Sequence, residues 1–140
     1  IARFPELRST VMGAGAAIVG DDDVELVDLL EAKRMGRGLA LRDARVELVG
    51  GQPVRIPSVE AMIALKYIAI RAVNPDGTPG RPAMKRIYDS GDIVGMIAAN
   101  PGFDERKVTD FLTSAFDADL AERWRMHLPG ARAGRGIPLD

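Results

Sequence analysis

The sequence predicts an α+β fold: a small mixed or antiparallel sheet followed by a bundle of about four helices. Short β-branched runs separated by turn signals fill residues 10–56, and after Pro57 the hydrophobic period becomes helical. At 140 residues the chain can bury one domain core. Residues 1–56 form the β-rich part of that domain, 57–128 its helical part, and 129–140 a flexible tail. The helices have apolar faces to bury, and the sheet is the layer expected to cover them.

Residues 1–10, "IARFPELRST", carry no strong period. "GAAIVG" (15–20) and "VELVDLL" (24–30) flank "DDD" (21–23) and read as a hairpin around an acidic turn. Residues 31–38 are basic and glycine-punctuated, a loop or short helix. "RVELV" (45–49) and "QPVRI" (52–56) form a second hairpin around Gly50-Gly51, which supplies the positive φ angles of a tight turn. Pro57-Ser58 starts a helix running to about Val73. "NPDGTPG" (74–80) is expected to be a mobile loop without regular structure. Helices are then predicted over 82–100, 104–116 and 117–128, the last with Asp117 as N-cap.

Composition narrows the chemistry. A net charge of −1 gives no global attraction to nucleic acid, although a local basic patch is compatible with it. The absence of cysteine excludes disulfides and thiolate metal sites, and a single histidine, His127, disfavours an imidazole site. No apolar run is long enough to span a membrane, and no signal peptide is visible, so a cytoplasmic setting is expected.

Four charged residues stand out. In "LVDLL", Asp28 interrupts an apolar strand, where a carboxylate must be solvated, paired or bound to a cation. Lys66 lies in "VEAMIALKYIAIRAV", and its neighbours at helical spacing are Val59, Met62, Ile63, Ala69, Ile70 and Val73. An ammonium on that stripe either snorkels to water or meets an anionic partner. In "KRIYDSGDI", Asp89 and Asp92 share one helix face and continue an apolar stripe; Lys85, four residues before Asp89, could pair with it at the surface. Acids and a lysine directed from a strand and two helices toward one place would suit phosphoryl chemistry. The alternatives are an edge-strand Asp28, a snorkelling Lys66, and a surface pair at Asp89. If Lys66 is a phosphate ligand, Lys66→Met is expected to keep the fold, with an unchanged or slightly raised melting temperature, because methionine suits the stripe. With a merely snorkelling Lys66 the change would leave ligand binding unchanged, and with Lys66 as a buried structural partner of Asp28 or Asp89 it would cost several kcal/mol, because it strands a carboxylate.

The segments "LVDLL", "VRIPS", "VEAMIALK" and "KRIYDSGDI", taken in order over residues 15 to about 100, resemble the later part of nucleotidyltransferase-fold proteins of the AbiEii/MenT toxin type. The resemblance implies transfer of a nucleoside monophosphate from an NTP to an RNA or protein hydroxyl, with tRNA among the acceptors and an antitoxin as a protein partner. It implies Mg²⁺ as cofactor, with Asp28 as metal ligand. Asp28, Lys66 and Asp89 would be catalytic, Lys66 and Arg86 would bind nucleotide phosphates, and Asp92 would support them. The family's Gly-Ser turn and Asp-x-Asp strand have no match before Asp28. Either those motifs lie upstream of Ile1, which the non-methionine start favours, or this member has lost them. A non-catalytic module of the same fold, binding a protein partner or nucleic acid, is the alternative. A third reading is an α+β domain whose charges are all structural.

Overall fold

The computed structural model describes residues 8–12, 15–19, 25–30, 36–42 and 44–139, the first three segments as backbone. The chain is α+β and divides into two compact units, Ile1–Arg34 and Met35–Asp140. The division differs from the expected one. The second hairpin goes with the helices, not with the earlier strands.

In the first unit, β1 (Arg8–Met12), β2 (Gly15–Val19) and β3 (Glu25–Leu30) form an antiparallel sheet in the order β1-β2-β3. The expected pairing of β2 with β3 is present, with Asp28 opposite Ala17 and a register shift between Ile18 and Val19. β1 is an addition to the sequence reading. The acidic turn, residues 21–23, lies outside the described residues.

The second unit opens with the short helix α1 (Arg37–Arg42). The hairpin of β4 (Arg45–Val49) and β5 (Gln52–Ile56) follows, turning through Gly50 at φ 56° and Gly51 at φ 78°. Helices α2 (Val59–Arg71), α3 (Ala83–Ala99), α4 (Glu105–Ala115) and α5 (Ala118–Arg132) complete it. Three of their starts have side-chain caps. Ser58 accepts from the Ala61 amide, Asp104 from Arg106 and Lys107, and Asp117 from Leu120. Glu60 joins two of these ends, its Oε1 accepting from the Asp104 amide at 3.1 Å.

Among the described residues the core is helical. Ile63, Ala64, Tyr67, Ile68 and Ile70 of α2 meet Ile93 and Ile97 of α3, Val108 and Leu112 of α4, and Leu120, Trp124 and Leu128 of α5. Tyr67 and Trp124, both fully buried, stack edge to face with ring centroids 5.2 Å apart. The expectation that the helices bury their apolar faces against the sheet is corrected for the second hairpin. β4 and β5 contribute no buried residue, and Val46 and Leu48 are 61% and 74% exposed. The hairpin alternates apolar residues with Arg45, Glu47 and Arg55, so neither face is a continuous apolar layer. The four helices satisfy one another instead.

Two loop expectations change. Residues 74–80 are exposed, as expected, but they hold regular contacts. Val73 bridges Pro79, Asn74 N–H donates to Thr78 O, and Asp76 accepts from both the Thr78 amide and hydroxyl. The local side-chain acceptors supply the bonds that a strand partner otherwise would. The tail 129–140 is likewise anchored. The last helix continues past Pro129 to Arg132, ending where Gly134 takes φ 76°. Ala131 and Ile137 are buried, and the Ile137 amide donates to Ser90 Oγ at 2.6 Å. Burial of these two apolar side chains outweighs the helix-breaking tendency of proline.

Candidate functional site

Lys66 stands at the margin of the buried face of α2. Ile63 and Ile70 are buried on one side of it, while Met62 and Ala69 are half-buried. Its stem therefore runs along apolar surface toward α3, and the ammonium emerges between two carboxylates. Lys66 Nζ lies 2.9 Å from Asp89 Oδ1 and 2.6 Å from Asp92 Oδ2. The i, i+3 spacing of the acids puts both on the side of α3 that meets α2. The other Asp89 oxygen, Oδ2, is held by Arg81 Nη1 at 2.5 Å. Each end of this buried carboxylate thus accepts from a cation, which is the arrangement that makes a buried charge tolerable.

Exposure is unequal within the cluster. The side chain of Asp89 is 9% exposed, Lys66 27%, Arg81 40% and Asp92 56%. Desolvation by burial pulls the Lys66 pKa down, but hydrogen bonds to Asp92 and Asp89 and their charges outweigh it, and the net shift is upward. The ammonium is the form this site holds.

Of the residues singled out in the sequence, Lys66, Asp89 and Asp92 come together. Arg86 does not join them as a phosphate-facing group. It is buried at 9% exposure, and its Nε donates to the Ile70 carbonyl at 3.0 Å, which ties α3 to α2. Lys85 is not the partner of Asp89; both carboxylate oxygens are on Lys66 and Arg81. Asp28 belongs to the first unit, on β3. Arg81 was missed because it sits in a proline- and glycine-rich stretch, where no periodicity relates it to a helix face. Its position eight residues before Asp89 was the available signal, and only the turn geometry gives that spacing a meaning.

Among the described residues no group of three carboxylate or imidazole side chains is placed to hold a metal ion. Asp89 and Asp92 already accept from cations, so a metal there would have to displace Lys66 or Arg81. The metal assignment of Asp28 draws on one carboxylate in the first unit and carries no mechanistic step. The cluster is a surface site rather than a cavity. A cleft of about 410 Å³ lies at the start of α2, lined by Arg45, Ser58, Glu60 and Asn100, and one of about 500 Å³ lies between α4 and α5; neither includes Lys66 or Asp89.

A second polar group lies inside the helical unit. Tyr67 Oη and His127 Nδ1 are hydrogen-bonded at 2.9 Å, with the Arg71 guanidinium alongside. Burial pushes the Tyr67 pKa up, against the opposing charge of Arg71. This contact joins α2 to α5 in the core.

Compared with family models, curated proteins and solved structures, the chain matches none. No helix among the described residues is long and apolar enough to cross a membrane.

Proposed function

We propose that this chain is part of a nucleotidyltransferase-like protein, and that the Lys66 cluster is its phosphate-binding end. The observation that carries this reading is the placement of Lys66. A lysine on an apolar stripe is held, still partly exposed, by two acids of the next helix. That juxtaposition supports the resemblance of "VEAMIALK" and "KRIYDSGDI" to the toxin-type nucleotidyltransferases, in which an equivalent lysine meets nucleotide phosphate. In this reading Lys66 neutralises phosphate charge. Asp89 acts through Lys66, fixing where the ammonium points, and Asp92 supports it from the exposed side. The reaction is transfer of a nucleoside monophosphate from an NTP to a hydroxyl of RNA, tRNA included, or of protein, in a toxin–antitoxin setting. Asp28 is assigned to the catalytic strand of the same protein.

The test is transfer of label from α-³²P-NTPs, with Mg²⁺ supplied, to total RNA and to protein. Label transfer that Lys66→Met abolishes supports the reading. Transfer unaffected by that substitution removes Lys66 from it.

The alternative, a non-catalytic module that binds a protein such as an antitoxin, is favoured by a different observation. Among the described residues, Val46, Leu48 and Val49 of the second hairpin are exposed. Binding of a partner with no label transfer under any condition would select it.

A further inference from the structure

We infer that Arg81 is a second phosphate-binding residue, forming with Lys66 a two-cation clamp for a polyphosphate, and that Asp89 is the residue that positions both. This rests on the reading of the Lys66 cluster as a phosphate site. It adds a residue that neither the sequence motifs nor the resemblance assigned.

The ordering of exposure carries the argument. Asp89 lies beneath at 9% exposure, while Lys66 and Arg81 lie above it at 27% and 40%. The acid anchors the two cations and is itself covered by them. Each cation keeps donors in reserve. Arg81 engages Asp89 through Nη1, and the rest of its planar fork remains to donate to a second oxyanion. The Lys66 ammonium makes contacts to Asp89 and Asp92 and has a third hydrogen. Asp92 is the most exposed member and repels an anion on its own side, so a phosphate approaches from the Arg81 side.

The backbone behind Arg81 is fixed before any ligand arrives. The Gly80 amide donates to Ala72 O at 2.7 Å, and a Cβ on Gly80 would stand 3.0 Å from that same oxygen. Val73 and Pro79 pair just before it. Arg81 is therefore delivered to Asp89 by a closed turn, and less conformational entropy is lost when it binds. A guanidinium and an ammonium that share one buried carboxylate are held close enough to contact neighbouring phosphate oxygens. The ligand class is a di- or triphosphate, as in an NTP.

The test is calorimetric titration of the full chain with inorganic tripolyphosphate, which has no base or sugar. Arg81→Gln is expected to weaken binding about tenfold or more, and Arg81→Lys, which keeps the charge and a partner for Asp89, to recover part of the loss. Asp89→Asn gives an opposed readout. Removing a negative charge would by itself strengthen anion binding, whereas loss of a positioning residue weakens it; weakening is expected. If Asp89→Asn does not fold, the Gln and Lys variants of Arg81 decide. Wild-type affinity in Arg81→Gln, with binding lost in Lys66→Met, would overturn the role of Arg81 and leave Lys66 as the phosphate ligand. Absence of tripolyphosphate binding by the wild type would overturn both.

Discussion

Replacing Lys66 with methionine removes the ammonium and keeps most of the stem. A hydrogen bond to a charged, buried acceptor contributes about 1.5–3 kcal/mol. Lys66 makes one such bond, to Asp89 at 9% exposure, but Lys66 is itself 27% exposed and Arg81 stays on the other carboxylate oxygen. That places the loss in the lower half of the range. The contact with Asp92, 56% exposed, adds about 0–1 kcal/mol, because water replaces it readily. Relief from desolvating the ammonium, together with methionine packing on the stripe, offsets about 1 kcal/mol. The expected net effect is a destabilisation of about 1–2 kcal/mol. The sequence alone suggests an unchanged or slightly raised melting temperature for a phosphate ligand and a loss of several kcal/mol for a buried structural partner of Asp89; the paired but partly exposed ammonium falls between the two. Urea unfolding at neutral pH measures the change, and a double-mutant cycle with Asp89→Asn should give a coupling of at least about 0.5 kcal/mol. A variant as stable as wild type, with no coupling, would refute the ion-pair reasoning.

Stability should fall in alkali. The folded-state pKa of Lys66 is raised, so its contribution is complete below the unfolded lysine value of about 10.4 and is lost as pH rises through the folded value. Tyr67, raised by burial, acts in the same direction, and Lys66→Met should flatten the curve only in part. At the other end Glu60 contributes. Burial opposes its charge, but the Asp104 amide and other donors bring its pKa below the ordinary value, so its stabilisation is present above about pH 4.3 and lost as pH falls through the folded value; Glu60→Gln should reduce the acid sensitivity of a pH-dependent urea series. Gly36→Ala should cost about 2 kcal/mol or more in urea unfolding, since Gly36 has φ 75° and its added Cβ would stand 2.7 Å from Ala115 Cβ; an unchanged midpoint would contradict that packing of α4 on Gly36. Ser90→Ala strands the buried Ile137 amide and should speed its hydrogen exchange; unchanged protection would show that Ser90 does not anchor the tail.

The helices were legible because their signals are local. Ser58 and Asp117 are caps that act within one turn, and Gly50-Gly51 supplies its own turn geometry. Lys66 and Asp89 were legible for a different reason: each charge violates an apolar stripe, and a violation needs a partner. Which partner was not legible, because it depends on how α2 and α3 pack. Arg81 was hidden for that reason too, its relation to Asp89 being set by a turn closed through Ala72 and Gly80. The tail was misjudged because Pro129 is a strong local stop signal, while the burial of Ala131 and Ile137 that overrides it is tertiary. Arg86 read as a phosphate ligand from its place in the motif, and only the structure shows its Nε on the Ile70 carbonyl.

The measurement that bears most directly on the proposed site is the ¹⁵Nζ resonance of Lys66 during titration of the full chain with an NTP and Mg²⁺. The ammonium is held by two carboxylates and its pKa is raised, so its protons should exchange slowly enough to be followed at mildly acidic pH. A saturable shift of that resonance, assigned through its loss in Lys66→Met and accompanied by weakened NTP binding in that variant, is the predicted result. An Nζ resonance that stays unmoved at NTP concentrations in the millimolar range would contradict a phosphate role for Lys66 and leave the cluster as a structural clamp between α2 and α3.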